Sequence, residues 1–391
     1  MDDDVLSQGG DRGPRPWPRR LPVIAAVIAL VAGGAVYLSQ PRHHAPAAQA
    51  TVSPAPPGVS APTEPDGIAG QTLAWDPSLR VPDAAGQPVW YSPASGVAEQ
   101  IGGLPANATR YVFTRVVGGW AVQPVAVPPP QCGLCAGPPV PVWFLADGAR
   151  SARRVGTANL VAPGPAAGTF WLTSYPLGAN MTTAAGTARE ASAAGARTAA
   201  VALPPGYAID QGTVRGLLLT PFGAPAETTL SKLWDPATRR ATRTFAQVLA
   251  SGPGEIAWAS GCAPRCSVEI LNLVTDRHTV IEVPARNVVS SGLFSPDGGL
   301  LALQLSVGDS DAGGTKLEVA SVTSGRLTAV PGTWVSSDAL VDYGWPDGDD
   351  NLVAEFSFTT KQQLTSWHPG ARSPAVADVV PGPDQSSLIL G

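Results

Sequence analysis

The chain has 391 residues, a net charge of −5 and only 14% charged residues. So mild a balance argues against recognition of nucleic acid or of an anionic membrane surface by charge. Gly (43) and Pro (41) are so dense that they exclude long helices after about the first forty residues.

The first predicted element is a cytoplasmic tail, residues 1–20, with Arg12, Arg15, Arg19 and Arg20. Residues 21–38, LPVIAAVIALVAGGAVYL, follow without a charge. At about 1.5 Å per residue they span roughly 27 Å, the thickness of a bilayer core. The arginines before this segment place the N-terminus in the cytoplasm and the bulk of the chain outside. The rival reading is a signal peptide cleaved after Ala50, in the small-x-small sequence Ala48-Gln49-Ala50, which gives a secreted protein. Both readings put the remainder outside the cytoplasm. Residues 39–70 are rich in Pro, Ala, Ser and Thr and form a flexible linker with too little apolar surface for a core.

From residue 71 to 391, short β-branched and aromatic runs alternate with Gly, Pro, Asp and Ser clusters, the pattern of an all-β domain. FSPDGGLLALQ (294–304) and GWPDGDDNLVAEF (344–356) share one phrase: an aromatic residue, Pro-Asp-Gly, then an apolar strand. Pro296 and Pro346 preset a turn, Asp297 and Asp347 accept its hydrogen bonds, and Gly298 and Gly348 close it. A second phrase, strand-turn-strand, recurs at 89–101, 142–155, 233–245, 268–283, 317–330 and 364–379, with a weaker copy at 189–201. A spacing of 40 to 50 residues with four short strands per unit is the β-propeller period. About seven four-stranded blades are expected, with six or eight as alternatives, and residues 380–391 are candidates to add a strand to the first blade.

These phrases, with Trp234-Asp235-Pro236 at a strand end and the CxxxC before VEILNL, resemble the TolB-like and WD-repeat-like propellers, and in particular membrane-anchored propeller proteins of actinobacteria. The resemblance covers residues 71–391. It implies a module that binds something on a face or in the central channel.

The four cysteines form two close pairs, Cys132 with Cys135 and Cys262 with Cys266. In an oxidising compartment they read as two local disulfides pinning loops. A four-cysteine zinc site has permissible spacing, but the pairs fall in blades that are not neighbours. A redox CxxC needs a helix that the prolines around Cys132 and Cys135 forbid. Cross-pairing is the remaining alternative. His43 and His44 lie in the linker, and His278 and His368 in segments read as exposed turns. No nucleophile elbow and no phosphate-binding glycine motif occurs. The loops with Asp309 and Asp311, and with Asp347, Asp349 and Asp350, lack the full spacing of a calcium loop. Asn107 and Asn180 stand in glycosylation sequons that are read as silent. The apolar, proline-rich insertion 121–143 reads equally as a docking surface and as a loop folded over the ring.

The expected function is that of a non-enzymatic binding or protein-interaction module at the cell envelope. Its expected partner is an envelope protein, or a small ligand or glycan on a propeller face, with no cofactor, no metal and no nucleic acid. The alternative is a propeller lyase or hydrolase with a site in the channel. No catalytic residue is assigned.

Overall fold

In a computed structural model the structure describes residues 73–75, 88–92, 97–105, 108, 111–125, 133–196, 198–223, 230–260, 266–307, 314–331, 335–336, 340–345, 352–358, 361–379 and 388–389. Among them no helix is long and apolar enough to cross a membrane. Residues 21–38, the linker, and Pro346, Asp347 and Gly348 lie outside the described residues.

The strands form seven separate antiparallel sheets. The first contains β1 (Leu73–Trp75), β2 (Val89–Ser92), β3 (Val97–Gln100) and, from the other end of the sequence, β30 (Leu388–Ile389). The second contains β4 (Tyr111–Val116), β5 (Gly119–Pro124), β6 (Val140–Ala146) and β7 (Arg153–Ala158). The third contains β8 (Leu160–Pro163), β9 (Thr169–Ser174) and β10 (Thr187–Ser192), with β11 (Gly195–Ala196) and β12 (Val201–Ala202) both on β10. The fourth contains β13 (Tyr207–Thr213), β14 (Gly216–Pro221), β15 (Ser231–Asp235) and β16 (Arg240–Phe245). The fifth contains β17 (Val248–Ser251), β18 (Glu255–Ser260), β19 (Ser267–Asn272) and β20 (His278–Glu282). The sixth contains β21 (Asn287–Phe294), β22 (Leu300–Val307), β23 (Gly314–Ser321) and β24 (Leu327–Ala329), with β25 (Val335–Ser336) also on β23. The seventh contains β26 (Leu340–Gly344), β27 (Leu352–Phe358), β28 (Lys361–Trp367) and β29 (Ala375–Val379).

This is an all-β propeller with four-stranded blades. The expected count of about seven blades is corrected to six, the lower of the alternatives. Those six are built from consecutive strands, whereas the remaining sheet is assembled from both ends of the sequence. There β30 pairs antiparallel with β1, Ala74 opposite Ile389 and Trp75 opposite Leu388. In the order β3–β2–β1–β30, β30 takes the place that the first strand holds in the other sheets. Those first strands pack on one another: β4 on β8, β8 on β13 and β17 on β21. They are therefore the innermost strands, around the axis.

The cores explain why the ring holds. Apolar clusters fill the spaces between successive sheets. Trp120, Trp143 and Leu145 cluster on the second sheet with Ile101, which follows β3. Phe144, Phe170 and Leu172 lie between the second and third, and Trp171, Leu217 and Trp234 between the third and fourth. Leu233, Ile256 and Leu271 separate the fourth and fifth, Ile270, Leu301 and Leu303 the fifth and sixth, and Leu317, Trp345 and Phe356 the sixth and seventh. Strands buried on both faces, such as GWAVQ of β5, follow from this arrangement. Each buried large side chain contributes about 1.5–3 kcal/mol, so no blade is stable without its neighbours.

Four successive innermost strands share a device that the sequence does not display. The pairing with the next strand slips by one residue, leaving Asp210, Leu249, Ser290 and Val341 without a direct partner. Such bulges re-aim side chains toward the axis or along it.

Candidate functional site

The register of the fourth and fifth sheets builds a groove between them. On β16, Arg243 stands opposite Leu233 and Phe245 opposite Ser231, so both share the face that packs on the fifth sheet. On the fifth sheet Trp258 pairs with Glu269, Ile256 with Leu271, and Leu271 with His278. Alternation therefore sets Trp258, Glu269, Leu271 and His278 on the face turned to the fourth sheet. Near the axis this interface is closed by Leu218, Leu233 and Ile256. Toward the outer strands it opens into a groove of about 730 Å3, lined by Arg243, Phe245, Trp258, Leu271, Asp276 and His278 among others.

The aromatic part is tightly organised. The His278 ring stacks on the Trp258 indole with centroids 5.6 Å apart and planes 23° from parallel. Phe245 leans on the same indole at 5.1 Å and 54°. The His278 Nε2 lies 2.9 Å from Glu269 Oε2, which fixes the ring's orientation. His278 is thus the first residue of β20 rather than part of a free turn, and it is held by Glu269 on the adjacent strand β19 and by Trp258 on β18 beyond it. His368 is exposed, with Nδ1 3.0 Å from the Pro369 carbonyl oxygen.

The ionic part sits at the rim. Asp276, in the turn between β19 and β20, has a left-handed backbone at φ 57°. Arg215, from the β13–β14 turn, donates to both its oxygens at 2.8 and 2.7 Å, and Arg243 donates at 3.1 Å. The Arg215 hydrogen bonds, aided by the charges of Arg215 and Arg243, hold the Asp276 carboxyl below its usual range.

A second polar feature lies at the axis. Asp210, at the bulge of the innermost strand β13, is exposed to solvent, with protein groups packed around its carboxyl. This enclosure pushes its carboxyl above the usual range, opposed by the Ser251 hydroxyl of the next innermost strand, which donates at 2.7 Å.

The residues singled out in the sequence lie apart from both features. Pro296, Asp297 and Gly298 form the β21–β22 turn. There Ser295 Oγ donates to Asp297 at 2.6 Å, the Gly299 N–H donates to it at 2.8 Å, and Gly298 adopts φ 72°. Cys135 and Cys266 are each half of a disulfide, and there is no free cysteine among the described residues. Cys132 and Cys262 lie outside the described residues, and no group of metal-ligating side chains occurs among those described. Of the proline-rich insertion, residues 121–125 and 133–143 are described, its two ends belonging to β5 and β6. It runs against the loop after β9, with hydrogen bonds between Ala136 N and Ala179 O and between Met181 N and Leu134 O. The groove itself escaped the sequence, because its walls come from strands of two sheets. The available signal was the alternation Phe245, Trp258, His278, three aromatic rings within three short strands.

No known protein family matches the sequence, and no curated protein matches it. Solved structures match in fold. One is a prolyl endopeptidase, at 14% identity and TM-score 0.47 over 76% of this chain and 47% of that one. Another is the propeller domain of the trilobed protease from Pyrococcus furiosus, at 10% identity and TM-score 0.44 over 68% and 82%. A third is a 6-phosphogluconolactonase-like protein from Bacteroides fragilis, at 11% identity and TM-score 0.45 over 83% and 100%. This chain thus spans about half the length of the prolyl endopeptidase it matches. Similarities at this level carry nothing about what the chain binds or does.

Proposed function

We propose that the protein is a membrane-anchored, extracytoplasmic propeller of the TolB-like kind, working as a non-enzymatic binding or protein-interaction module at the cell envelope. The observation that carries this reading is the groove between the fourth and fifth sheets. It is preformed and open, with an aromatic floor and an ionic rim, the make-up of a recognition surface. The anchor rests on residues 21–38, and the two local disulfides on the spacing of Cys132, Cys135, Cys262 and Cys266.

The test is photo-crosslinking from the groove in native membranes, with a photoreactive phenylalanine in place of Thr244 in the full chain. The expected result is one reproducible envelope protein, captured less when Trp258→Ala removes the floor. A folded, abundant protein that captures nothing, or captures equally without Trp258, contradicts the reading.

A second reading is favoured by Asp210. A carboxyl raised above its usual range, on an innermost strand, is suited to general acid work in a propeller lyase or hydrolase. Turnover of a glycan or peptide substrate that is lost in Asp210→Ala and in Asp210→Asn supports it.

A further inference from the structure

We propose that the groove between the fourth and fifth sheets docks an extended acidic peptide segment, which deepens the binding-module reading above and rests on it. Charge at the rim carries the argument. Asp276 is shared by two guanidinium groups, so the rim keeps one positive charge in excess. Arg215 commits both arms of its fork to Asp276. Arg243 spends a single N–H there, which leaves the rest of its fork to a second carboxylate in the groove. Arg239 and Arg240, both exposed, lie at the start of the same strand, with Asp235 opposite Arg240, and form no ion pair among the described residues.

The aromatic floor selects peptide over sugar. Recognition of a pyranose ring needs a free aromatic face. Here one face of Trp258 is covered by His278, and Phe245 leans on the same ring. Phe245 and Leu271 are buried beneath it, so what remains is the partly exposed apolar surface of Trp258, which suits one aliphatic side chain. The backbone points the same way. β16 ends its sheet, and its residues 240–244 are exposed, so its outer edge offers main-chain groups to an added strand. Arg243 and Phe245 lie two residues apart on the groove face. A strand added to β16 then places an acidic residue at Arg243 and an apolar residue at Phe245, two positions apart on one face. The recognised pattern is acidic-x-apolar, read in either direction.

The experiment uses the full chain in detergent micelles, a fluorescein-labelled peptide of Glu-Thr-Leu-Thr repeats, and fluorescence anisotropy at about 50 mM salt, where surface charges are weakly screened. The peptide is expected to bind, its Lys-Thr-Leu-Thr counterpart not to bind, and Arg243→Glu to weaken binding by about tenfold or more. Arg243→Lys, which keeps the charge but loses the fork, recovers part of the affinity. The proposal is overturned if the lysine peptide binds as well, if Arg243→Glu changes nothing, or if an oligoglucuronate binds and the peptide does not. If the photoreactive group at position 244 captures an envelope protein while the acidic peptide fails, this inference falls and the binding-module reading stands. If both experiments are empty, both fall.

Discussion

The rings of Trp258 and His278 stack at 5.6 Å although their strands are separated by β19, and Glu269 on that middle strand holds the imidazole at 2.9 Å. The indole is the larger and more enclosed partner. Trp258→Ala is expected to lower stability by about 2–4 kcal/mol through lost burial and the void it leaves. His278→Ala is expected to lower it by about 1 kcal/mol or less, since the imidazole is half exposed and loses one ring contact. Urea unfolding of both variants checks this order. Equal losses would mean that the stack, rather than the indole, holds the groove wall.

Asp210 predicts a pH-dependent gain. Its carboxyl is raised by enclosure in the protein. A group raised in this way favours folding below its unfolded value, and that contribution is lost as pH rises through the folded value. At neutral pH the ionised form is therefore the less favourable one. Asp210→Asn keeps an oxygen for the Ser251 hydroxyl and should raise stability at pH 7, by less than about 1 kcal/mol because water reaches the site. Near about pH 3 the gain should vanish, since the wild-type carboxyl is then neutral in both states. A gain that persists unchanged at that pH refutes enclosure of the charge as its cause.

Tyr175 predicts an alkaline effect of the same sign, in a variant that loses stability rather than gains it. Its hydroxyl donates to the Tyr207 carbonyl at 3.0 Å, and burial pushes its pKa up to about 12. The neutral phenol's contribution is intact below the unfolded value near about 10 and is lost as pH rises from there toward the folded value. Tyr175→Phe should cost about 1 kcal/mol at pH 8, the worth of the hydrogen bond. The deficit should narrow at pH 11, where only the wild type loses stability by titrating. Parallel melting curves at the two pH values would contradict this.

Two glycines separate backbone strain from collision. Gly216 closes the β13–β14 turn at φ 131°, and a Cβ there would lie 2.4 Å from the Trp234 carbonyl oxygen. Gly195 has φ 112° with nothing within 4 Å of the same added atom. Gly216→Ala should cost about 2–4 kcal/mol, and Gly195→Ala about 1 kcal/mol from the backbone alone. Thermal melts of the two variants decide whether the collision adds to the strain.

The repeat structure was legible to an unusual depth. All seven strand-turn-strand phrases fall on the outer hairpin of a sheet: β2–β3, β6–β7, β10–β11, β15–β16, β19–β20, β23–β24 and β28–β29. The reason is local. A hairpin writes its turn residues and its alternation into about a dozen consecutive positions. The FSPDG phrase likewise marks the inner hairpin β21–β22. The site was not legible, because a groove between blades depends on how two sheets face each other. His278 shows the limit. In TDRHT it has the neighbours of a turn residue, and only the register of β18, β19 and β20 brings it onto Trp258. The bulges on four innermost strands were hidden for the same reason, since a slipped pairing involves two strands and leaves no fixed residue type behind.

The sheet shared by β1 and β30 places Trp75 directly across a strand pair from Leu388. Two points far apart in sequence are thereby one strand spacing apart, about 4.8 Å. The order in which the blades follow one another along the polypeptide is then separable from their order in space. Joining Ile389 to Leu73 with a short glycine linker, and cutting instead in the loop between any two of the six consecutive blades, should yield a circularly permuted chain with the same ring, and with its seam in a blade of the experimenter's choosing.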